Sequence, residues 1–184
     1  MDWIIRTSKI MIRPIVVEDA KYFHKWWNDG ALMKDVGFKN GLNLSLEEII
    51  ASFKKRINSE NGNKLYIIYD SLLNIPIGEL SYGELNNKEK SCRIGMKICE
   101  LNMQGKGYGH HSLCEFLQYL FNELHLSVIY IDTLMSNTRA IHLYQKIGCE
   151  TIEIKKAFWT NPEGDECDAI FFKLDREVFR KYYE

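Results

Sequence analysis

A glycine-rich turn that opens straight into an amphipathic helix constrains this chain more than any other stretch. Gln104, Gly105, Lys106, Gly107, Tyr108 and Gly109 run towards Leu113, Phe116, Leu117, Leu120, Phe121 and Leu124, apolar residues at three-and-four spacing. That spacing predicts a helix with one full face on a sheet. Glycines at 105, 107 and 109 remove side chains where a ligand must approach the main chain. The first amides of the helix behind them are unpaired and lie at the positive end of its dipole. The turn therefore reads as an anion site, with a merely tightened connection as the plainer alternative. Two nucleotide readings fall. A dinucleotide fold carries its glycines in the first βαβ unit, with an acidic residue about 20 positions on, and here the turn lies past the middle of the chain. A P-loop closes on lysine then serine or threonine, whereas Lys106 is followed by Gly107.

At 184 residues, 46% hydrophobic and 27% charged, the chain is long enough for one well-buried core, and a single domain over 1–184 is expected. A net charge of −1 argues against a nucleic-acid surface. Met1 to Ile10 has no long apolar core, and no run of about 18 apolar residues occurs, so no membrane partner and a cytosolic location are expected. Cys92, Cys99, Cys114, Cys149 and Cys167 are odd in number and widely spaced, which suggests reduced thiols. His110 and His111 have no companions at metal-ligand spacing, so no metal is expected.

Residues 9–16 alternate as an outer strand ending at a proline, and Glu18 to Asn28 reads as a first helix with Ala20, Phe23, Trp26 and Trp27 in phase. Gly30 to Asn43 reads as a loop whose exposed-looking Leu32, Met33, Val36 and Phe38 suit a substrate wall. Ser45 caps a second helix, with Glu47 and Glu48 in its first turn and residues 58–63 ending it. Strands over 65–70, 76–85 and 91–99 form a meander. The helix after the glycine turn, a strand over 128–135 and a short helix over 137–147 ended by Gly148 follow. Strands over 149–158 and 168–174, joined by a polar turn at 160–165, finish the pattern. Strand, glycine turn, helix and strand make one βαβ crossover.

This order, β-α-α-β-β-β-α-β-α-β-β, resembles the GNAT superfamily of acetyl-CoA-dependent N-acetyltransferases. The resemblance rests on the Gln104 to Gly109 turn together with Ser136, Asn137, Arg139, Ala140, Ile141, Leu143, Tyr144, Lys146 and Gly148. It spans nearly the whole chain and implies an α+β fold, a mixed sheet of the acyl-CoA N-acyltransferase type with splayed central strands. The opening segment and the stretch from Trp27 to Met33 look most like the branch that includes ribosomal-protein N-terminal acetyltransferases.

The resemblance implies acetyl-CoA as cofactor, its pyrophosphate wrapped by amides from Gly105 through Gly107, Tyr108 and Gly109 to His110, with Gln104 and Lys106 as helpers. It assigns Lys97, Ile98 and Cys99 to the cofactor arm, through backbone groups freed where the strand splays at a bulge. Asn137 matches a position touching that arm, with a plain N-cap as the alternative, and Arg139 approaches the cofactor or simply faces solvent. Tyr144 matches the family tyrosine near the cofactor sulfur. A phenol of reference pKa about 10 can protonate a leaving thiolate of about 8.5 or hydrogen-bond it. The oxyanion would fall to the N–H of Ile98 or Cys99.

Glu79 and Asp132 are candidate bases for the acceptor ammonium, with no side-chain base as the third option. Trp26, Trp27, Asp29 and Phe38 on one side and Phe158 and Trp159 on the other are expected to wall the acceptor groove. The acceptor is a peptide or protein amine or a small amine, with an aminoglycoside, a polyamine or a non-catalytic coenzyme A-binding module as alternatives. Direct attack in a ternary complex is expected, since Cys99 has no histidine partner in sequence reach. The loop from Leu32 to Phe38 is a groove wall or a dimer face, which leaves monomer and homodimer both open.

Overall fold

The alternating and in-phase segments assemble into one eight-stranded mixed sheet with helices on both faces. A computed structural model describes residues 2–59 and 63–183, so residues 60–62 of the turn read at 58–63 lie outside the described residues. The elements are β1 (Ile5–Arg6), β2 (Ile10–Pro14), α1 (Ala20–Trp27), α2 (Gly30–Met33), α3 (Leu46–Ile57), β3 (Lys64–Asp70), β4 (Pro76–Asn86) and β5 (Ser91–Ile98). They continue with α4 (Tyr108–Asn122), β6 (Val128–Leu134), α5 (Thr138–Lys146), β7 (Glu150–Thr160), β8 (Glu166–Asp175) and α6 (Arg176–Tyr183).

The strand order is β1-β2-β3-β4-β5-β6-β8-β7. All neighbours are antiparallel except β5 and β6, which the crossover through α4 makes parallel. That parallel seam has four rungs, Ser91–Val128 to Ile94–Ile131, and then stops. Beyond it Gly95 to Ile98 pair only with β4, and Asp132 to Leu134 pair only with β8. The central strands are therefore splayed, as expected, although the irregularity between β4 and β5 lies at Gly83 and Asn86, away from the splay.

Each face of the sheet has its own core. On one, Leu113, Phe116, Leu117, Leu120 and Phe121 of α4 pack on Ile12, Ile68, Leu80 and Ile94. On the other, Phe23 and Trp26 of α1 and Ile49 and Phe53 of α3 pack on Leu65 and Ile67. Helix α3 starts where Ser45 Oγ accepts from Glu48 N–H and the Glu48 carboxylate accepts from Ser45 N–H, a reciprocal cap that uses two otherwise unpaired donors. The buried Arg13 guanidinium forks onto Asp19 at 2.6 and 2.8 Å and so pins the start of α1 to β2.

Three elements were not expected. Strand β1 is only two residues long. The stretch read as loop from Gly30 folds into α2 and a 3₁₀ turn over Lys34–Val36, which buries Leu32 and Met33 instead of exposing them. Helix α6 places Phe179 against Phe121, their ring centroids 5.4 Å apart.

Candidate functional site

Where β5 and β6 part, a cavity of about 540 Å³ opens. Its walls are Gly95 to Ile98 of β5, Asp132 to Leu134 of β6, the glycine turn, one face of α5, the segment after α2 and the tip of β7. The fold explains the opening. Cys99 N–H bonds Ile77 O on β4 at 2.7 Å, so alternation along β5 turns the backbone groups of Lys97 and Cys99 to β4 and those of Met96 and Ile98 into the split. Of the three residues assigned to the cofactor arm, only Ile98 has its main chain open to the cavity. Met96, which the sequence reading did not pick out, shares that orientation. Ile98 O already accepts from Gln104 Nε2 at 2.8 Å, which leaves the Ile98 N–H as the candidate oxyanion donor and removes that of Cys99.

The glycine turn has the properties an anion needs. Gly107 adopts φ +82 as N-cap of the fifteen-residue α4, a conformation open to glycine, and no side chain caps the helix. The first bond that closes the helix is His111 N–H to Gly107 O, so the N–H groups of Tyr108, Gly109 and His110 are left for a ligand. A Cβ at Gly105 would meet nothing within 4 Å, which leaves open space beside the turn. The turn therefore fits a diphosphate. Gln104, Gly105, Gly107, Gly109 and His110 line the cavity, whereas Lys106 and Tyr108 turn away from it. Lys106 O accepts from Lys9 Nζ at 2.9 Å. The Tyr108 hydroxyl donates to the Asp70 carboxylate, whose other oxygen accepts from the N–H groups of Leu72 and Leu73 at 2.9 and 2.7 Å. The His110 ring lies 3.2 Å from the Tyr183 hydroxyl of α6, and burial, then Lys146 and His111, lowers its pKa.

Helix α5 presents Asn137, Arg139, Ala140, Leu143 and Tyr144 to the cavity. Asn137 Oδ1 accepts from Ala140 N–H at 3.1 Å and so caps the helix while lining the space. Arg139 reaches Gln104 Oε1 at 2.8 Å and Asp35 at 3.3 Å, linking the glycine turn to the segment after α2. Tyr144 is 4% exposed, its ring against Phe172 at 5.6 Å. Its hydroxyl has no hydrogen-bond partner among the described residues. Burial, then Cys149 and Asp132, raises the phenol well above its usual value.

The two candidate carboxylates sit differently. Asp132 lines the cavity, one oxygen held by Arg93 at 2.5 Å, and Arg93 in turn bonds Glu84 at 3.0 Å. Glu79 does not line it. Trp27 Nε1 donates to Glu79 Oε2 at 2.8 Å, and Lys97 Nζ lies 3.1 Å from Oε1, so both oxygens are engaged.

The expected acceptor walls also sort. Trp26 is fully buried in the second core and donates to Glu100 at 2.8 Å, so it packs instead of lining. Trp27 meets Phe23 and Phe53 edge-on, and Asp29 caps α2 by accepting from Ala31 N–H at 2.8 Å. Phe158 and Trp159 do line the cavity. Phe38 backs the wall by packing on Trp159 at 5.2 Å. Lys39 to Asp165 at 2.5 Å and Asn40 to Glu163 at 2.8 Å tie the segment after α2 to the β7–β8 turn, so the two walls meet. Leu32, Asp35, Val36, His142, Lys146 and Ala169 complete the lining. His142, Leu143 and Lys146 lie three, four and seven positions after Arg139, a helical spacing that could have flagged them.

Comparison with known proteins agrees with this geometry. The chain is 26% identical over 174 residues to the spermidine N(1)-acetyltransferase of Vibrio cholerae serotype O1, covering 94% of this chain and 98% of that one. It is 28% identical over 88 residues to a kanamycin resistance protein of Rhizobium radiobacter, covering 48% of this chain and 75% of that one. In structure it resembles the crystal structure of the Vibrio cholerae spermidine N-acetyltransferase in complex with CoA and spermine. The TM-score is 0.85 at 21% identity, over 95% of this chain and 99% of that one. Residues 9–150 match the acetyltransferase (GNAT) domain. With a match over most of its length, and a split sheet whose glycine turn suits the diphosphate of coenzyme A, the chain belongs to the GNAT family and is an acetyl-CoA-dependent N-acetyltransferase.

Proposed function

We propose that the chain acetylates a primary amine of a linear polyamine in a ternary complex. The observation that carries this reading is the near end-to-end similarity to the spermidine enzyme, 94% of this chain against 98% of that one. When bound, acetyl-CoA supplies an activated thioester. The chain's own residues do the rest. The free amides of Tyr108, Gly109 and His110 hold the diphosphate at the positive end of α4. The N–H of Ile98 is placed to stabilise charge on the acetyl oxygen.

Asp132 keeps one oxygen on Arg93 and turns the other to the acceptor ammonium, which must lose its proton before attack. This favours Asp132 over Glu79, whose two oxygens are taken. Tyr144 holds its proton firmly because burial and the nearby Asp132 raise its pKa, so it acts as a hydrogen-bond donor to the departing sulfur.

The test is thiol release from acetyl-CoA with spermidine, kanamycin and a peptide bearing a free α-amine. Spermidine is expected to give the highest kcat/KM. A preference for kanamycin or for the peptide overturns the polyamine reading, and coenzyme A binding without release from any amine supports a binding module instead.

A further inference from the structure

A half-buried carboxylate behind the cavity wall faces a cation of the chain's own. Glu79 on β4 and Lys97 on β5 are register partners, so their side chains leave the same face of the sheet side by side. Lys97 Nζ lies 3.1 Å from Glu79 Oε1 and 2.8 Å from Met33 Sδ, and the two side chains keep only 16% and 13% of their surface exposed. Lys97 lines the cavity and Glu79 does not, so the ammonium screens the carboxylate from anything that enters. Burial works against the Lys97 charge, but Glu79, with a smaller contribution from Cys99, outweighs it and raises the lysine pKa. Lys97 is therefore cationic at neutral pH. A polyamine that enters this end of the cavity meets a positive charge, and an ammonium that would pair with Glu79 must first displace one already there.

We propose that Lys97 is a specificity-determining residue whose ammonium occupies Glu79 and so opposes a second ammonium carried into the cavity beside the reacting amine. This rests on the acetyl-transfer reading above and deepens it. The accepted polyamine reacts through one amine, its remaining charges held outside. The geometry also says what loss of Lys97 does: it exposes a carboxylate suited to a second ammonium.

The experiment compares putrescine with butylamine, which share a four-carbon chain and differ in the second amine, as acceptors in the thiol-release assay. Lys97→Met is expected to raise the ratio of kcat/KM for putrescine over butylamine about tenfold, the change that ~1.4 kcal/mol of differential binding produces. Where that variant does not fold, Lys97→Gln, which still donates to Glu79, reads the same ratio. Glu79→Gln combined with Lys97→Met removes both charges and is expected to return the ratio to the parent value. A ratio unchanged in the single variant, or a gain that survives in the double variant, overturns the proposal. A parent protein that releases thiol with spermidine but with neither of these amines overturns this proposal alone, and one that releases none with spermidine either overturns the polyamine reading and this one with it.

Discussion

At the residue scale, Tyr144 shows how position decides chemistry. Its phenol has no hydrogen-bond partner among the described residues, lines the cavity, and is kept protonated by its own burial. Tyr144→Phe removes one hydroxyl and leaves the ring contact with Phe172. Turnover is expected to fall about 10²-fold or more, with coenzyme A affinity changed by less than about threefold. Steady-state kinetics with calorimetric coenzyme A titration checks both, and an affinity collapse with unchanged turnover at saturation would contradict the role. Tyr144 was legible because it sits in a local motif on one helix. The partners of Glu79 were not, because Trp27 lies 52 positions before it and the pairing with Lys97 depends on a strand register that side-chain pattern alone does not set.

At the scale of elements, local chemistry and the order of the strands were readable, and side-chain contacts between distant elements were not. The Ser45 cap, the apolar face of α4 and the Asn137 start of α5 follow from side chains within a turn or two of each other. Helix α6 went unread because eight residues are too few to repeat an apolar period, and it forms by docking Val178, Phe179 and Tyr183 on the core. The segment after α2 was read as a wall, and its conformation explains how it becomes one. Gly37 has φ +94, and a Cβ there would sit 2.1 Å from Trp159 Cζ3. Gly37→Ala must therefore strain the backbone, at about 1–3 kcal/mol, and push the Trp159 ring aside. The expected outcome is a KM for the amine raised about tenfold, a lower melting temperature and an unchanged coenzyme A affinity. Equal effects on amine and coenzyme A would show that the wall is not specific to the acceptor side.

At the scale of the whole molecule, pH acts through a carboxylate that joins distant parts. Asp70 at the end of β3 accepts from Tyr108 at the start of α4 and from Leu72 and Leu73 in the β3–β4 turn. Burial opposes its charge, but these donors and Lys9 outweigh burial and lower its pKa. A carboxylate depressed in the folded state stabilises fully above its unfolded pKa of about 3.9 and loses that contribution as pH falls towards the depressed value. Asp70→Asn is expected to cost about 1–3 kcal/mol at neutral pH. The gap between parent and variant should stay constant down to about pH 5 and narrow below about pH 4. Urea melts across that range check it, and a gap that widens as the pH falls would reverse the sign.

The four-rung seam between β5 and β6 also has a mechanical meaning. A force that spreads the sheet in its own plane loads that seam from its open end, so Ile94 parts from Ile131 first and the rungs peel in succession. The neighbouring joints, β4 with β5 and β6 with β8, are longer antiparallel ladders. The molecule thus has a line of parting that runs into the cavity. A displacement of a fraction of a rung there alters the width of the cavity without disturbing either half.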